Sequence, residues 1–199
     1  MGETATKRFL PLFHIFIILL LLPATVFVGV NSSSKDFIKQ SCAGTLYPSL
    51  CYSSLAPYAS AVRQSPAKLS VAAANVSLAK IKDALSLAVY AKRGSGGRIG
   101  AALHDCVQSL SRAADLTKQA AAEMGKLGAE SKDGGIAWDA SNAQTWMSAA
   151  MTNEETCLNG FEDAKVVSGA KAMCDRVGEV KKYTSNALSL LNTLVNGGY

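Results

Sequence analysis

Residues 71–88 read VAAANVSLAKIKDALSLA, and within them Val71, Ala74, Leu78, Ile81, Leu85 and Ala88 recur at alternating steps of three and four. Such spacing places all six on one stripe of an α-helix. Ser65-Pro66 just ahead supplies a helix opening, because proline is preorganised for the first turn, where its missing N–H costs nothing. The same period returns three more times. A second stripe holds Ile99, Leu103, Cys106, Leu110, Ala113, Thr117, Ala120 and Met124. The third holds Ala140, Ala143, Met147, Ala150, Glu154, Cys157 and Phe161, and the fourth Met173, Val177, Val180, Thr184, Ala187, Leu191 and Leu194. Glu154 interrupts an otherwise apolar third stripe, and we read it as a place where the core narrows or the helix rotates.

Between the stripes lie Gly94-Ser-Gly-Gly97, Lys132-Asp-Gly-Gly135 and Val166-Val-Ser-Gly169, short segments with turn chemistry that join antiparallel neighbours. All five prolines lie at or before Pro66, which leaves the rest of the chain free to stay helical. The predicted fold is all-α, an up-down-up-down four-helix bundle with close, Ala-rich seams. Residues 35–64, broken by Tyr47-Pro48 and Ala56-Pro57, read as a short helical hairpin packed on one end.

The chain has 199 residues, 49% of them hydrophobic and 18% charged, which suits one globular domain and excludes a disordered polyelectrolyte. Its front reads as a secretory signal peptide, with Lys7-Arg8 before an apolar run from Phe9 to Leu22. We assign residues 1–30 to this leader, with cleavage between 24 and 34, and residues 35–195 to the bundle domain. Pro11, His14 and Pro23 interrupt the apolar run and no charged stop-transfer cluster follows, which disfavours the competing reading of an uncleaved membrane anchor. Without the leader the net charge is +4 and unfocused, which is no nucleic-acid signature. Secretion makes Asn75-Val-Ser77 a glycosylation acceptor, and Asn31-Ser-Ser33 another if it survives cleavage.

An oxidising destination makes Cys42, Cys51, Cys106, Cys157 and Cys174 potential disulfide partners. A Cys42–Cys51 bridge would close the hairpin locally, and Cys106 and Cys157 lie on inward stripes of neighbouring antiparallel helices. Cys174 then remains as a buried thiol. Spacing alone leaves other pairings open, and some of the five could simply be small core residues.

Catalysis finds little support. His104 is the one histidine outside the leader, and its neighbours Asp105 and Cys106 point about 100° apart on a helix. A single histidine with cysteines destined for bridges makes no metal site, and Gly94-Ser-Gly-Gly97 lacks the lysine of a phosphate loop. No catalytic residue, cofactor or metal is expected.

The Cys42-x8-Cys51 pair, Leu103-His-Asp-Cys106, and the run from Ala143 through Trp146-Met-Ser-Ala-Ala-Met-Thr-Asn-Glu-Glu-Thr-Cys-Leu-Asn-Gly-Phe161 resemble the plant invertase and pectin methylesterase inhibitor family. The resemblance implies disulfides Cys42–Cys51 and Cys106–Cys157, a free Cys174, and a one-to-one noncovalent complex that blocks the enzyme's polysaccharide cleft. Pectin methylesterase is the implied partner and acid invertase the alternative. Invertase inhibitors of the family carry a Pro-Lys-Phe segment at the turn before the third bundle helix, where this chain has Asp133-Gly-Gly-Ile-Ala-Trp138, and the Thr156–Phe161 segment is more like the esterase branch. Matching on the cysteines puts partner-binding positions at Gln108, Arg112 and Asp115 on the second helix and Asp139, Gln144, Thr156 and Asn159 around the third. Gln108, Arg112 and Asn159 stand where the family commonly has carboxylates, which implies a less basic target or a weaker pH dependence. A different class of function, a secreted carrier of small apolar ligands held between Met and Ala seams, is the further alternative.

Overall fold

The computed structural model describes residues 24–127 and 135–197, and among them the backbone is helical, with no strand. The apolar part of the expected leader and most of the Lys132–Gly135 turn lie outside the described residues. In chain order come α1 (Ala24–Ala43), α2 (Pro48–Leu55), a 3-10 turn at Ala56–Tyr58, and α3 (Ala59–Val62). The long helices follow: α4 (Pro66–Arg93), α5 (Gly97–Lys126), α6 (Gly135–Asp163) and, after a 3-10 turn at Val167–Ala170, α7 (Lys171–Val195). Helix α1 begins inside the stretch expected to be removed and contains the whole cleavage interval.

Helix α4 starts at its proline, with the Ser65 side chain accepting the Lys68 N–H at 3.4 Å as an N-cap. Arg63 and Gln64, both in the left-handed region with φ of 48° and 60°, turn the chain back from α3 into it. At the α4–α5 turn, a Cβ on Gly100 would stand 2.6 Å from the Ser95 carbonyl oxygen, so only glycine permits that approach.

Helix α4 packs on α5 and α7, and α6 closes the square by packing on the same two. Neighbours run antiparallel. Lys126 at the end of α5 reaches Asp139 at the start of α6, and Gln144 near the start of α6 reaches Asn192 near the end of α7. Disulfides join Cys106 of α5 to Cys157 of α6 and Cys42 to Cys51 across the hairpin turn. Cys174 is unbridged and half-buried.

The inward residues divide into two apolar clusters. One contains Ile81, Leu103, Leu110, the Cys106–Cys157 bridge, Phe161, Met173 and Val177. In the other, Ile38, Leu55 and Val62 of the hairpin cover Leu69, Met124, Met147, Leu190 and Leu191, at the end where α4 begins and α7 finishes. Asn186 of α7 fastens the hairpin turn, accepting the Tyr47 N–H at 3.1 Å and donating to the Tyr47 carbonyl at 3.0 Å. Where the clusters meet, three of the long helices bury a hydroxyl: Ser77, Thr117 and Thr184.

The second, third and fourth stripes are buried along nearly their whole length, with Ile99 and Leu194 half-exposed at the ends. The first stripe is turned. Val71, Leu78 and Leu85 are half-buried, while Ala73, Ala74, Ser77, Ile81, Ala84 and Ala88 take the deepest positions. Small side chains there let α5 and α7 approach, and the leucines close the edges of the seams. Glu154 corrects the expectation of a narrowed or rotated core. It stays on the stripe and is completely buried, held by a hydrogen bond from Thr184 on α7. The apolar hollow beside Met124 is a surface groove of about 520 Å³ whose wall includes Tyr58, Val71 and Asn75, open to solvent rather than enclosed.

Candidate functional site

Helices α5 and α6 lie side by side, pinned near one end by the Cys106–Cys157 bridge. At the other end the Lys126 ammonium donates to Glu123 at 2.6 Å and to Asp139 at 3.4 Å. Its hydrogen bond to Glu123, with support from Asp139, raises the Lys126 pKa above its ordinary value. A disulfide near one end and a surface ion pair near the other therefore join the two helices.

On the α5 side Gln108, Arg112 and Asp115 are exposed at i, i+4 and i+7. Gln108 leans on His104, its amide 2.8 Å from Nε2, and the Lys92 ammonium lies 2.6 Å from Nδ1. On α6, Asp139 is half-buried in the Lys126 network, and Thr156 and Asn159 are exposed. Thr156 Oγ1 donates to the Thr152 carbonyl at 2.9 Å, leaving the hydroxyl oxygen open as an acceptor. Gln144 stands apart from the others. Its amide donates to Asn192 Oδ1 at 2.8 Å, which turns it into the seam between α6 and α7.

Two contributors were not legible in the chain. Lys126 becomes part of the site only because the fold brings the end of α5 to the start of α6. Trp138, in the first turns of α6, is 70% exposed, an unusual position for an indole whose sequence context marks it merely as a turn neighbour.

Chemically, this face offers hydrogen bonds and ion pairs on a rigid frame. His104 sits between Lys92 and Gln108 and contacts no nucleophile, while Cys106 is bridged. Burial, followed by the neighbouring Asp175 charge, pushes the Cys174 thiol up, away from the reactive thiolate. Among the described residues no three His, Cys, Asp or Glu side chains come together as a metal cluster. Asn75, the expected glycosylation acceptor, is exposed on α4, whereas Ser77 of the same sequon is buried and lies 2.7 Å from Thr184 Oγ1.

Fold and face together define a class: a disulfide-stapled helical bundle that presents a polar surface to a partner. A family model described as "Plant invertase/pectin methylesterase inhibitor" matches residues 36–190. The chain belongs to that family. It is 37% identical over 166 residues to Pectinesterase inhibitor 10 of Arabidopsis thaliana, covering 81% of this chain and 52% of that protein. With the 21 kDa protein of Daucus carota it shares 34% identity over 165 residues, covering 80% of this chain and 83% of the relative. The crystal structure of a mutant form of a pectin methylesterase inhibitor from Arabidopsis superposes with a TM-score of 0.59 at 19% identity, covering 76% of this chain and 92% of the other, a likeness of fold.

Proposed function

We propose that this protein is a proteinaceous inhibitor of pectin methylesterase, acting through a one-to-one noncovalent complex in which the bundle lies across the enzyme's polysaccharide cleft. The observation that carries the reading is the pinned α5–α6 pair, which holds Gln108, Arg112, Asp115, Asp139, Thr156 and Asn159 on one rigid frame in a chain whose relatives are named pectinesterase inhibitors. Rigidity matters because a frame ordered before docking loses little conformational entropy, so more of the contact energy survives as affinity. Gln144, the remaining partner-binding position, also donates an amide N–H to Asn192 Oδ1 and so ties α6 to α7.

The site of action is the cell wall space. The leader within residues 1–30 is removed between 24 and 34 before the domain folds, and Asn75 is glycosylated on the same route. No helix among the described residues is long and apolar enough to cross a membrane.

The test is a paired inhibition assay of the oxidised protein against a plant pectin methylesterase and an acid invertase, from mildly acidic to neutral pH. Inhibition of the esterase alone is expected. Inhibition of invertase alone overturns the choice of target, and saturable binding of a fluorescent lipid with no enzyme inhibited supports a carrier instead.

A further inference from the structure

Charge is spread unevenly over the four long helices. Helix α4 carries Lys68, Lys80, Lys82, Lys92 and Arg93 against one carboxylate, Asp83, while α6 carries Asp139, Glu154, Glu155, Glu162 and Asp163 with no lysine or arginine. On α5 four basic side chains meet three acidic ones, and on α7 four meet two. Helices α4 and α6 stand at opposite corners of the bundle, each packing on α5 and α7. The bundle is therefore polarised across one diagonal, basic at the corner away from α6.

Ion pairing sharpens the contrast. On α7, Lys171, Arg176 and Lys181 each face a carboxylate, and Lys126 of α5 is held by Glu123 and Asp139. Among the described residues no carboxylate lies within ion-pair distance of an α4 cation. Lys80 lies over the Tyr183 ring and Lys92 against His104, which leaves Lys82 and Arg93 in solvent on the outer side of the helix. At 100° per residue these two fall within about 20° of each other and about 17 Å apart, on the side away from the buried Ser77, Ala84 and Ala88. Tyr90, 77% exposed, and Asp83 lie on one flank of that line. Beyond Gly96, Arg98 adds an exposed guanidinium, and no carboxylate occurs between Asp83 and Asp105. Ala170 and Ala172 share a hollow with Leu87 and Ser95, so the cation that α7 brings near this corner is Lys171, already paired with Asp175.

We infer that the α4 corner from Lys82 to Arg98 is a second binding surface, and that its ligand is a polyuronate, the de-esterified chain that a pectin methylesterase produces. The inference rests on the esterase-inhibitor reading and adds a ligand to it. Hydrolysis of a methyl ester leaves a carboxylate on the sugar and releases methanol, so the enzyme turns a neutral polymer into a polyanion. Unpaired cations bind the carboxylates through charge-assisted hydrogen bonds, and an exposed aromatic ring takes the apolar face of a pyranose. Because α4 is diagonal to α6, this corner stays uncovered when the α5–α6 face holds the enzyme, and one molecule can hold enzyme and product polymer together. Asn75 lies 15 residues before Tyr90 on α4, about 22 Å along the helix, so a glycan there is attached well away from the ring.

The test is calorimetric titration of the secreted, disulfide-intact protein with a de-esterified oligogalacturonide and with the same oligomer fully methyl-esterified. The de-esterified oligomer alone should bind, more weakly as salt rises. Arg93→Glu with Arg98→Glu should raise the dissociation constant about tenfold or more, with melting and esterase inhibition unchanged. Lys118→Glu with Arg176→Glu makes the same change of charge on α5 and α7 and should alter binding by less than about twofold. Tyr90→Ser should weaken binding and Tyr90→Phe should keep it. Equal binding of the methyl-esterified oligomer, equal losses in the two double variants, or no binding by a protein that inhibits the esterase overturns the inference and leaves the inhibitor reading in place. Binding of the oligomer by a protein that inhibits no esterase overturns that reading and leaves the surface.

Discussion

Thr184 Oγ1 donates a 2.6 Å hydrogen bond to Glu154 Oε1 inside the bundle, where neither side chain has any exposed surface. Ser77 Oγ lies 2.7 Å from the same threonine oxygen, so a chain of polar atoms crosses from α4 through α7 to α6. The second carboxyl oxygen, Oε2, is buried without a hydrogen-bond partner. Burial pushes the Glu154 pKa up to about 7, against the opposing influences of the Thr184 hydrogen bond and the Lys181 charge. Lys181 of α7 is itself paired with Glu155, which faces outward. Helix α5 turns Ser109, Leu110, Ala113 and Thr117 inward and keeps Arg112, Asp115 and Lys118 in solvent. On α4 the buried contributor is Ser77, with Asp83 exposed and Lys80 over the Tyr183 ring.

A pH dependence of stability follows. The native carboxyl holds its proton up to about pH 7 and the unfolded one only to about 4.5, so stability is greatest below 4.5, falls between 4.5 and 7, and is level above. That interval corresponds to about 3 kcal/mol at the linkage conversion of ~1.4 kcal/mol per pH unit. Urea unfolding from pH 4 to pH 8 should show the decline, and Glu154→Gln should remove it, leaving the variant more stable than the parent at pH 8. Parallel slopes for the two proteins would refute the assignment. Through this one carboxyl, mild acid favours the folded state.

The Cys106–Cys157 bridge closes a loop of 51 residues. Replacing both cysteines by serine should cost about 4 kcal/mol in the chain-entropy model, and somewhat less where the unfolded chain keeps structure. Alkylation of the denatured but unreduced protein, followed by peptide mapping, should place the label on Cys174 alone. Because burial raises that thiol, native-state alkylation near neutral pH should be slow.

Arg112→Glu with Thr156→Ala alters two exposed side chains on α5 and α6 and no core contact. Melting should change by less than about 0.5 kcal/mol, the usual range for such surface changes. Inhibition of the esterase should weaken several-fold, most clearly at low salt. A folded double variant that inhibits like the parent would remove these positions from the interface.

Asn75 is exposed while Ser77 is locked to Thr184, so glycan transfer has to precede folding. Protein from a secretory host should gain mobility after N-glycosidase treatment, and Asn75→Gln should abolish that change. Asn75→Gln protein that still responds would move the modification to Asn31.

The helix stripes were readable because one helix face meets one core, and the apolar period of α5 maps onto its buried side from Leu103 to Met124. On α4 the period named Leu78 and Leu85, whereas the structure buries Ala73, Ser77 and Ala84 more deeply. Hydropathy ranks leucine first, but a helix wedged between two close neighbours gives its deepest positions to the smallest side chains. The partner-facing residues were readable only as positions on a helix. Nothing in the local sequence shows that Gln144 is drawn to Asn192, or that Lys126 joins Asp139 to the end of α5.

By itself, the sequence determined what depends on neighbours a few residues apart: four amphipathic helices and their proline and glycine ends. Tertiary structure alone decided how Glu154 is accommodated, because its partner Thr184 lies 30 residues away and Ser77, which completes the chain, is 107 residues before Thr184. It also decided that Trp138 stands in solvent, since exposure is set by which helices pack against α6. Periodicity fixes which way a side chain points on its own helix; only packing between helices decides what it meets there.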